Sequence, residues 1–452
     1  MSIGISVVGL GKLGASMVAG FAEVGFEVIG YDIVERNVRL LNSGIAPVEE
    51  TDLTDYIERN KSKIKATSDL QEAVIESDIS FIVIPTPSND DGAFSSKAAL
   101  ASFEKMGEAL KKKTAYHVIV MTSTVLPGIT KSLLIPALEK ESGKKCGVDF
   151  GVCYNPEFIA LGSVIRDFLN PDFYLLGEFD SRSGDVLEQI HAQVSQNSAP
   201  VKRMTIENAE LAKIALNSYV TMKISFANIL ADLCMKIPGG DVDVVSSALG
   251  MDSRIGRKYL TGGMGFAGPC FPRDNVALNY FGKKVGADTA LLQQNHDYNE
   301  RLNSQIFNNL LEFIPGCKNV AVLGLSYKPK SFLVEKSPGL SLANLLVGRS
   351  YVVTCFDPMA NSEAKPRLID GGEVCDSIDE ALTDVDAVFI ATPDPYFFDA
   401  LKTLDRSVVV VDLWRCLDAS VSRDFANYIG YGVCQDDSQV AKNLQEIWRD
   451  YE

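Results

Sequence analysis

The sequence predicts an α/β protein: two doubly wound parallel-sheet domains joined by a helical middle domain with a long central helix. Three observations predict it. Up to about Pro200, short β-branched runs (Ile5 to Val8, Glu27 to Tyr31, Ile79 to Ile84, His117 to Met121) alternate with helical patterns, as parallel strands joined by crossover helices do. From about Val201 to Asn303 the strand runs stop, and residues 205 to 236 form one long apolar-periodic stretch ending at Pro238-Gly239-Gly240. Beyond Pro315-Gly316 the alternation resumes with Val320 to Leu323, Val352 to Phe356, Ala387 to Ile390 and Val408 to Val411. The expected domains are therefore 1–200, 201–303 and 304–452. Val-Val-Gly-Leu-Gly near the start and Val-Leu-Gly-Leu near residue 324 resemble each other in plan, without a fixed-period repeat.

A chain of 452 residues suits two or three domains of about 100 to 200 residues each. With 46% hydrophobic and 23% charged residues, and no apolar run near the roughly 18 to 20 residues a bilayer requires, the expectation is a soluble globular protein with no membrane partner. The start, MSIGISVVGLG, has a strand leading into a glycine turn and lacks the basic opening and small-residue cleavage site of a signal peptide, so a cytoplasmic location is expected. A formal net charge of −16 argues against nucleic acid, which is bound through clustered Lys and Arg. A small diphosphate site needs only a few placed donors and stays compatible. Nine cysteines show neither close metal-type pairs nor disulfide density, and only three histidines, His117, His191 and His296, are present. A histidine base is therefore disfavoured, and no metal site is expected.

The run Gly9-Leu10-Gly11-Lys12-Leu13-Gly14 follows a strand and opens a helix. That is the context in which glycines let the backbone approach a pyrophosphate at a helix N-terminus. Asp32 closes the next strand, where a carboxylate accepts hydrogen bonds from ribose hydroxyls and repels a 2′-phosphate, favouring NAD over NADP. Arg36 nearby keeps NADP open. The alternative is a turn that serves only strand-to-helix packing.

Cys270 stands apart from the other cysteines because it lies in Gly262-Gly263-Met264-Gly265-Phe266-Ala267-Gly268-Pro269-Cys270-Phe271-Pro272-Arg273-Asp274. So many Gly and Pro residues suit a backbone that comes close to a ligand and presents amide N–H groups, and Arg273 and Asp274 put charge beside the thiol. A buried structural turn is the competing reading. Glu210, Lys213 and Asn217 are spaced to share one helix face. Either they point into a site, with Lys213 and Asn217 stabilising an oxyanion, or they form a solvated face with an intrahelical ion pair.

Eight motifs in order then carry a resemblance: the glycine run 9–14, Pro85-Thr86-Pro87, Ser123-Thr124-Val125, Asn155-Pro156-Glu157-Phe158, Glu210 to Asn217, Asp252-Ser253-Arg254-Ile255-Gly256, Gly265 to Asp274, and Leu323-Gly324-Leu325-Ser326-Tyr327-Lys328-Pro329. Together they resemble the UDP-glucose/GDP-mannose dehydrogenase family over nearly the whole chain. The resemblance implies Rossmann-like outer domains and an NAD-dependent four-electron oxidation of a nucleotide-sugar C6 alcohol to a carboxylate through a hemithioacetal and a thioester on Cys270. The expected conversion is UDP-glucose to UDP-glucuronate, with TDP-glucose, GDP-mannose or a UDP-N-acetylhexosamine as alternative substrates. By the same resemblance the catalytic residues are Cys270, Lys213, Asn217, Asp274, Glu157 and Thr124. Gly9, Gly11, Lys12, Leu13, Gly14, Asp32, Thr86, Thr124 and Arg273 bind NAD. Glu157, Phe158, Lys213, Asn217, Arg254, Tyr259, Gly263 and Lys328 bind the nucleotide sugar. A homodimer through the central helix is also implied.

Three positions depart from the family pattern: Leu161 stands where a glutamate is usual, Phe173 where an arginine is, and Glu335 replaces an arginine that contacts the cofactor. An anion there costs on the order of 1 kcal/mol or more of cofactor binding unless Lys336 or Arg273 compensates. Two other functions compete: a single-step hydroxyacid or sugar-phosphate dehydrogenase, which needs neither the second α/β domain nor Cys270, and a nucleotide-sugar-binding protein that has lost turnover.

Overall fold

The computed structural model describes residues 3–425 and 427–449. It contains two sheets. The first runs in the order β3-β2-β1-β4-β5-β6-β7-β8, from β1 (Gly4–Val8), β2 (Glu27–Tyr31), β3 (Ile64–Thr67), β4 (Ile79–Ile82), β5 (Val118–Met121), β6 (Gly151–Tyr154), β7 (Tyr174–Glu178) and β8 (Val201–Thr205). All neighbours are parallel except β6 and β7. The second is wholly parallel, in the order β11-β10-β9-β12-β13-β14, from β9 (Asn319–Leu323), β10 (Val352–Phe356), β11 (Gly372–Val374), β12 (Ala387–Ile390), β13 (Val409–Asp412) and β14 (Tyr428–Gly430). Counted within each sheet, both begin 3-2-1-4-5-6, the doubly wound order whose reversal beside the first strand opens a crevice at the strands' carboxyl ends.

Alternation along each strand builds a core on both faces of each sheet. In the first sheet, Ile5, Val7, Val28 and Phe81 bury on one side and Val8, Ile29, Ile82 and Met121 on the other. In the second, Val320, Val322 and Phe389 oppose Ala321, Leu323 and Val388. The resemblance in plan between the chain ends has a geometric basis. Gly9 and Gly324 both take left-handed φ values, 103° and 100°. A Cβ on Gly14 would stand 1.8 Å from the Gly9 carbonyl oxygen, and one on Gly339 would stand 1.9 Å from that of Gly324.

The central helix spans Ile206–Cys234, and its start corrects the expectation that strands stop at Val201, because β8 occupies 201–205. By packing, the chain forms two compact units, Met1–Leu216 with Tyr280–Ala287 and Asn217–Asn279 with Asp288–Glu452, whose boundary falls inside this helix. Ile206 and Ala209 pack with the first sheet, and Ala231 and Cys234 with the second. No helix among the described residues is long and apolar enough to cross a membrane.

Candidate active site

In the first unit, the glycine loop sits at the carboxyl end of β1. Gly9 needs its positive φ, and a side chain there would meet the Val83 carbonyl oxygen at 2.1 Å. Gly11 differs: a Cβ on it would meet nothing within 4 Å. Gly11 is also the N-cap of the first helix, Lys12–Glu23, and caps it with no side chain. An open face beside uncapped N–H groups fits a pyrophosphate. Asp32 is buried; its carboxylate accepts from the Leu10 N–H (2.8 Å), the Val34 N–H (2.8 Å) and Asn37 Nδ2 (3.2 Å), which fixes it against the loop. Half-buried Lys12 and Leu13 form the first turn, and burial lowers the Lys12 pKa against the opposing pull of Glu50 and Glu49. Thr86 Oγ1 donates to the Thr124 carbonyl (2.8 Å), joining the loops after β4 and β5.

In the same unit, the loop after β6 carries Glu157. Its Oε1 is buried without a hydrogen-bond partner, and burial raises its pKa to about 7 against the opposing charge of Lys213. Lys213 Nζ donates to the Glu157 carbonyl (2.8 Å) and lies 4.4 Å over the Phe158 ring. That ring rests 5.2 Å from Phe173, so an aromatic contact stands where the family has an arginine. Asn155, which starts the loop, is held by the His191 ring at 2.9 Å.

The solvated-face alternative for Glu210, Lys213 and Asn217 fails, since they are 0%, 8% and 8% exposed. Glu210 accepts from the N–H groups of Gly128 (2.5 Å) and Thr130 (3.0 Å), anchoring the turn that leads into Thr130–Leu134.

In the second unit, Cys270 is the exposed cysteine of the nine; the others are buried or half-buried. It immediately precedes the helix Phe271–Lys284, and its carbonyl accepts the Asp274 N–H (2.8 Å), which makes it the N-cap residue. Arg273 is half-buried in the first turn. Asp274 Oδ2 accepts from Asn217 Nδ2 at 2.6 Å, and both residues are buried.

Other expected residues are spread along this unit. Arg254 is 86% exposed and pairs with its neighbour Asp252 at 2.6 Å. Tyr259, with φ 67°, meets Phe271 edge-on at 6.1 Å. Lys328 Nζ is 5.7 Å from the centre of the Tyr327 ring. Glu335 is exposed, and its carbonyl accepts the Gly268 N–H (3.1 Å). Lys336, one of the two cations expected to compensate for Glu335, is engaged with Glu300 at 3.1 Å.

The glycine-rich stretch before Cys270 corrects one expectation. The N–H groups of Gly263, Gly265 and Phe266 are taken by Asn228, Asn303 and Asn299, so these amides bind protein side chains and present nothing to a ligand. Glycine is required by close packing instead: a Cβ on Gly263 would stand 2.7 Å from the Trp414 ring, and one on Gly268 2.6 Å from the Tyr327 ring. Arg415, also outside the sequence-based set, donates to the carbonyls of Thr261 (2.9 Å) and Gly262 (3.1 Å) and pairs with Asp243 at 2.8 Å.

Comparison with known proteins agrees in every segment. The UDP-glucose/GDP-mannose dehydrogenase family matches through its NAD-binding domain at residues 3–195, its central domain at 207–301 and its UDP-binding domain at 321–419. A UDP-glucose 6-dehydrogenase of Haloferax volcanii is 34% identical over 94% of this chain and 100% of its own length. A GDP-mannose 6-dehydrogenase of Pseudomonas aeruginosa is 31% identical over 90% of this chain and 96% of its own. The solved structure of a UDP-glucose dehydrogenase from Pyrobaculum islandicum superposes with a TM-score of 0.85 at 34% identity, covering 96% of this chain and 98% of that one. With a glycine cradle that fits NAD and all three domains matched in order, the chain belongs to the UDP-glucose/GDP-mannose dehydrogenase family and is an NAD-binding protein of that nucleotide-sugar dehydrogenase class.

Proposed function

We propose that this protein oxidises the C6 alcohol of UDP-glucose to the carboxylate of UDP-glucuronate through a thioester on Cys270. The observation that carries the reading is the placement of Cys270: an exposed thiol at a helix N-terminus, where the peptide dipoles favour the thiolate. Asp274 lies one turn on and is bonded to Asn217. The choice of uridine rests on the UDP-binding match and on two UDP-glucose 6-dehydrogenases that are 34% identical over 94% and 95% of this chain, where a GDP-mannose 6-dehydrogenase that reaches 34% does so over 78%.

When bound along Gly9 to Gly14, Asp32, Thr86, Thr124 and Arg273, NAD supplies the hydride acceptor, twice for each sugar. The protein's residues handle the protons and the acyl group. The alcohol proton leaves as the aldehyde forms, and Cys270 sulfur adds to that aldehyde. Lys213 and Asn217, one turn apart on the central helix, hold the resulting oxygen. After the second oxidation, water attacks the thioester, the C–S bond breaks, and the Cys270 thiolate leaves as the carboxylate forms. Asp274 accepts the water proton, and Thr124 orients the water. A Glu157 carboxyl with its pKa near 7 is matched to proton transfer at neutral pH. Phe158, Arg254, Tyr259 and Lys328 grip the nucleotide sugar, and Gly263 shapes the loop beside it.

We also propose a homodimer through the central helix. Tyr219, Phe226, Ile229 and Leu233 are 61%, 51%, 42% and 48% exposed, and their spacings of seven, three and four residues place them on one helix face. An exposed Arg254 is suited to reach a second copy's site. Nine free cysteines fit a reducing cytoplasm.

The test counts NADH formed per sugar consumed, with UDP-glucose, UDP-N-acetylglucosamine, GDP-mannose and TDP-glucose, for the parent protein and Cys270→Ser. The expected result is two NADH per UDP-glucose, abolished in the variant. One NADH per sugar, unchanged by the substitution, would make Cys270 a structural residue. Binding without any NADH would favour the non-catalytic reading.

A further inference from the structure

From Thr261 to Cys270 the chain forms neither helix nor strand, and side chains from two helices hold its shape. Asn228, buried on the central helix, accepts the Gly263 N–H (2.7 Å) and donates through Nδ2 to the Met264 carbonyl (3.1 Å). Asn299, buried on the helix Ala290–Leu310, treats one residue the same way, accepting the Phe266 N–H (2.8 Å) and donating to the Phe266 carbonyl (3.0 Å). Asn303, one turn later, accepts the Gly265 N–H (2.9 Å). Polar backbone groups from Gly263 to Phe266 are thus tied to amide side chains in a setting where leaving them unpaired is costly.

We propose that Asn228 and Asn299, each of which both donates to and accepts from the loop backbone, are positioning residues that set where the Cys270 thiol stands. Little slack separates the last anchored residue, Phe266, from the cysteine. In between, Gly268 (φ 80°) is packed on the Tyr327 ring and donates to the Glu335 carbonyl, and Pro269 fixes its own φ. The Cys270 carbonyl then takes the first helical hydrogen bond, from the Asp274 N–H. Movement at residues 263–266 therefore passes to the thiol. An amide offers a donor and an acceptor in one plane, and Asn228 and Asn299 use both. Aspartate keeps the shape and the acceptor but sets its second oxygen against a carbonyl oxygen. Asn303 meets the loop only as an acceptor, a role that aspartate preserves, so aspartate there is tolerated.

The proposal rests on Cys270 being the nucleophile, and the test separates the two claims. Asn228→Asp, Asn299→Asp, Asn303→Asp and Cys270→Ser are compared with the parent for kcat, for KM toward NAD and toward whichever nucleotide sugar the parent turns over, and for the rate of Cys270 alkylation by iodoacetamide, resolved by peptide mass spectrometry. Asn295→Asp is the control, because Asn295 lies on the same helix but bonds Thr221 at 2.9 Å. The 228 and 299 variants should lose about tenfold to a hundredfold in kcat, the size of effect that slight misplacement of a reacting group produces. Their KM for NAD should hold and Cys270 alkylation should change several-fold. Asn303→Asp and the control should stay near the parent in both. Activity of Asn299→Asp relative to the parent should rise toward acid pH, as the introduced carboxyl protonates and regains a donor. If either variant lacks a folded melt, Asn→Ser at that position, whose hydroxyl both donates and accepts, is judged by the same criteria. Parent-like kcat and alkylation in folded 228 and 299 variants, with Cys270→Ser inactive, overturns the positioning role alone. Full NADH yield from Cys270→Ser overturns the nucleophile, and the positioning role with it.

Discussion

Glu157 shows how one buried carboxyl ties function to stability. Its ordinary pKa of 4.5 rises to about 7, mainly because burial disfavours the charged form. Between those values the folded protein keeps a proton that the unfolded chain releases, so the group's contribution is present below pH 4.5 and is lost as pH rises toward 7. A shift of this size corresponds to on the order of 3 kcal/mol. Glu157→Gln, which cannot ionise, should therefore lose less stability than the parent between pH 5 and pH 8 in denaturant titrations; equal losses would show that Glu157 does not titrate abnormally. Other perturbed groups nearby act structurally. Burial lowers the pKa of His117 and His191 to about 3, and their rings bond Ser80 and Asn155, so both stay neutral supports at working pH.

At the scale of elements, the glycines of one loop have different jobs. Ala at Gly14 would drive its Cβ into the Gly9 carbonyl, whereas Ala at Gly11 enters open space with φ −70°. Gly14→Ala should cost about 2 kcal/mol or more in thermal or denaturant unfolding, because backbone cannot move aside as a side chain can. Gly11→Ala should stay within about 1 kcal/mol of the parent in stability while raising KM for NAD, since the space it enters is the proposed pyrophosphate seat. Equal stability losses would remove the distinction. The central helix likewise divides its labour along its length: Glu210 anchors a turn, Lys213 meets the Glu157 loop, Asn217 holds Asp274, and Asn228 holds the cysteine loop.

For the whole molecule, the proposed dimer makes a prediction separate from catalysis. Phe226→Glu places a charge in the apolar stripe, at a side chain that is 51% exposed. It should convert a dimer into a monomer by light scattering after size exclusion, with the thermal transition retained. A parent protein that is already monomeric would overturn the dimer. Each compact unit has its own sheet and its own core on both faces, so each is stabilised from within.

The sequence by itself determined the two sheets, the central helix and the identity of the reactive loops, because these rest on local patterns: β-branched runs, a long apolar period, glycines at a strand-to-helix turn. The four strands at the sheet edges, β3, β8, β11 and β14, escaped that reading, since an edge strand buries less and needs less apolar sequence; Val201–Thr205 has no fully buried residue. Interior β6 and β7 escaped it too, with glycine and cysteine diluting the runs. Asn295, Asn299 and Asn303 stand four residues apart in the sequence and drew no notice there, since nothing local says what such a stripe of poor helix formers holds. Only the tertiary structure decided that Glu210 is an anchor, that the amides of Gly263, Gly265 and Phe266 are spent on asparagines, and that Lys336 is paired away from Glu335. Each of these depends on groups far apart in the chain, and burial, which sets the cost of an unpaired polar group, exists only once the chain has folded.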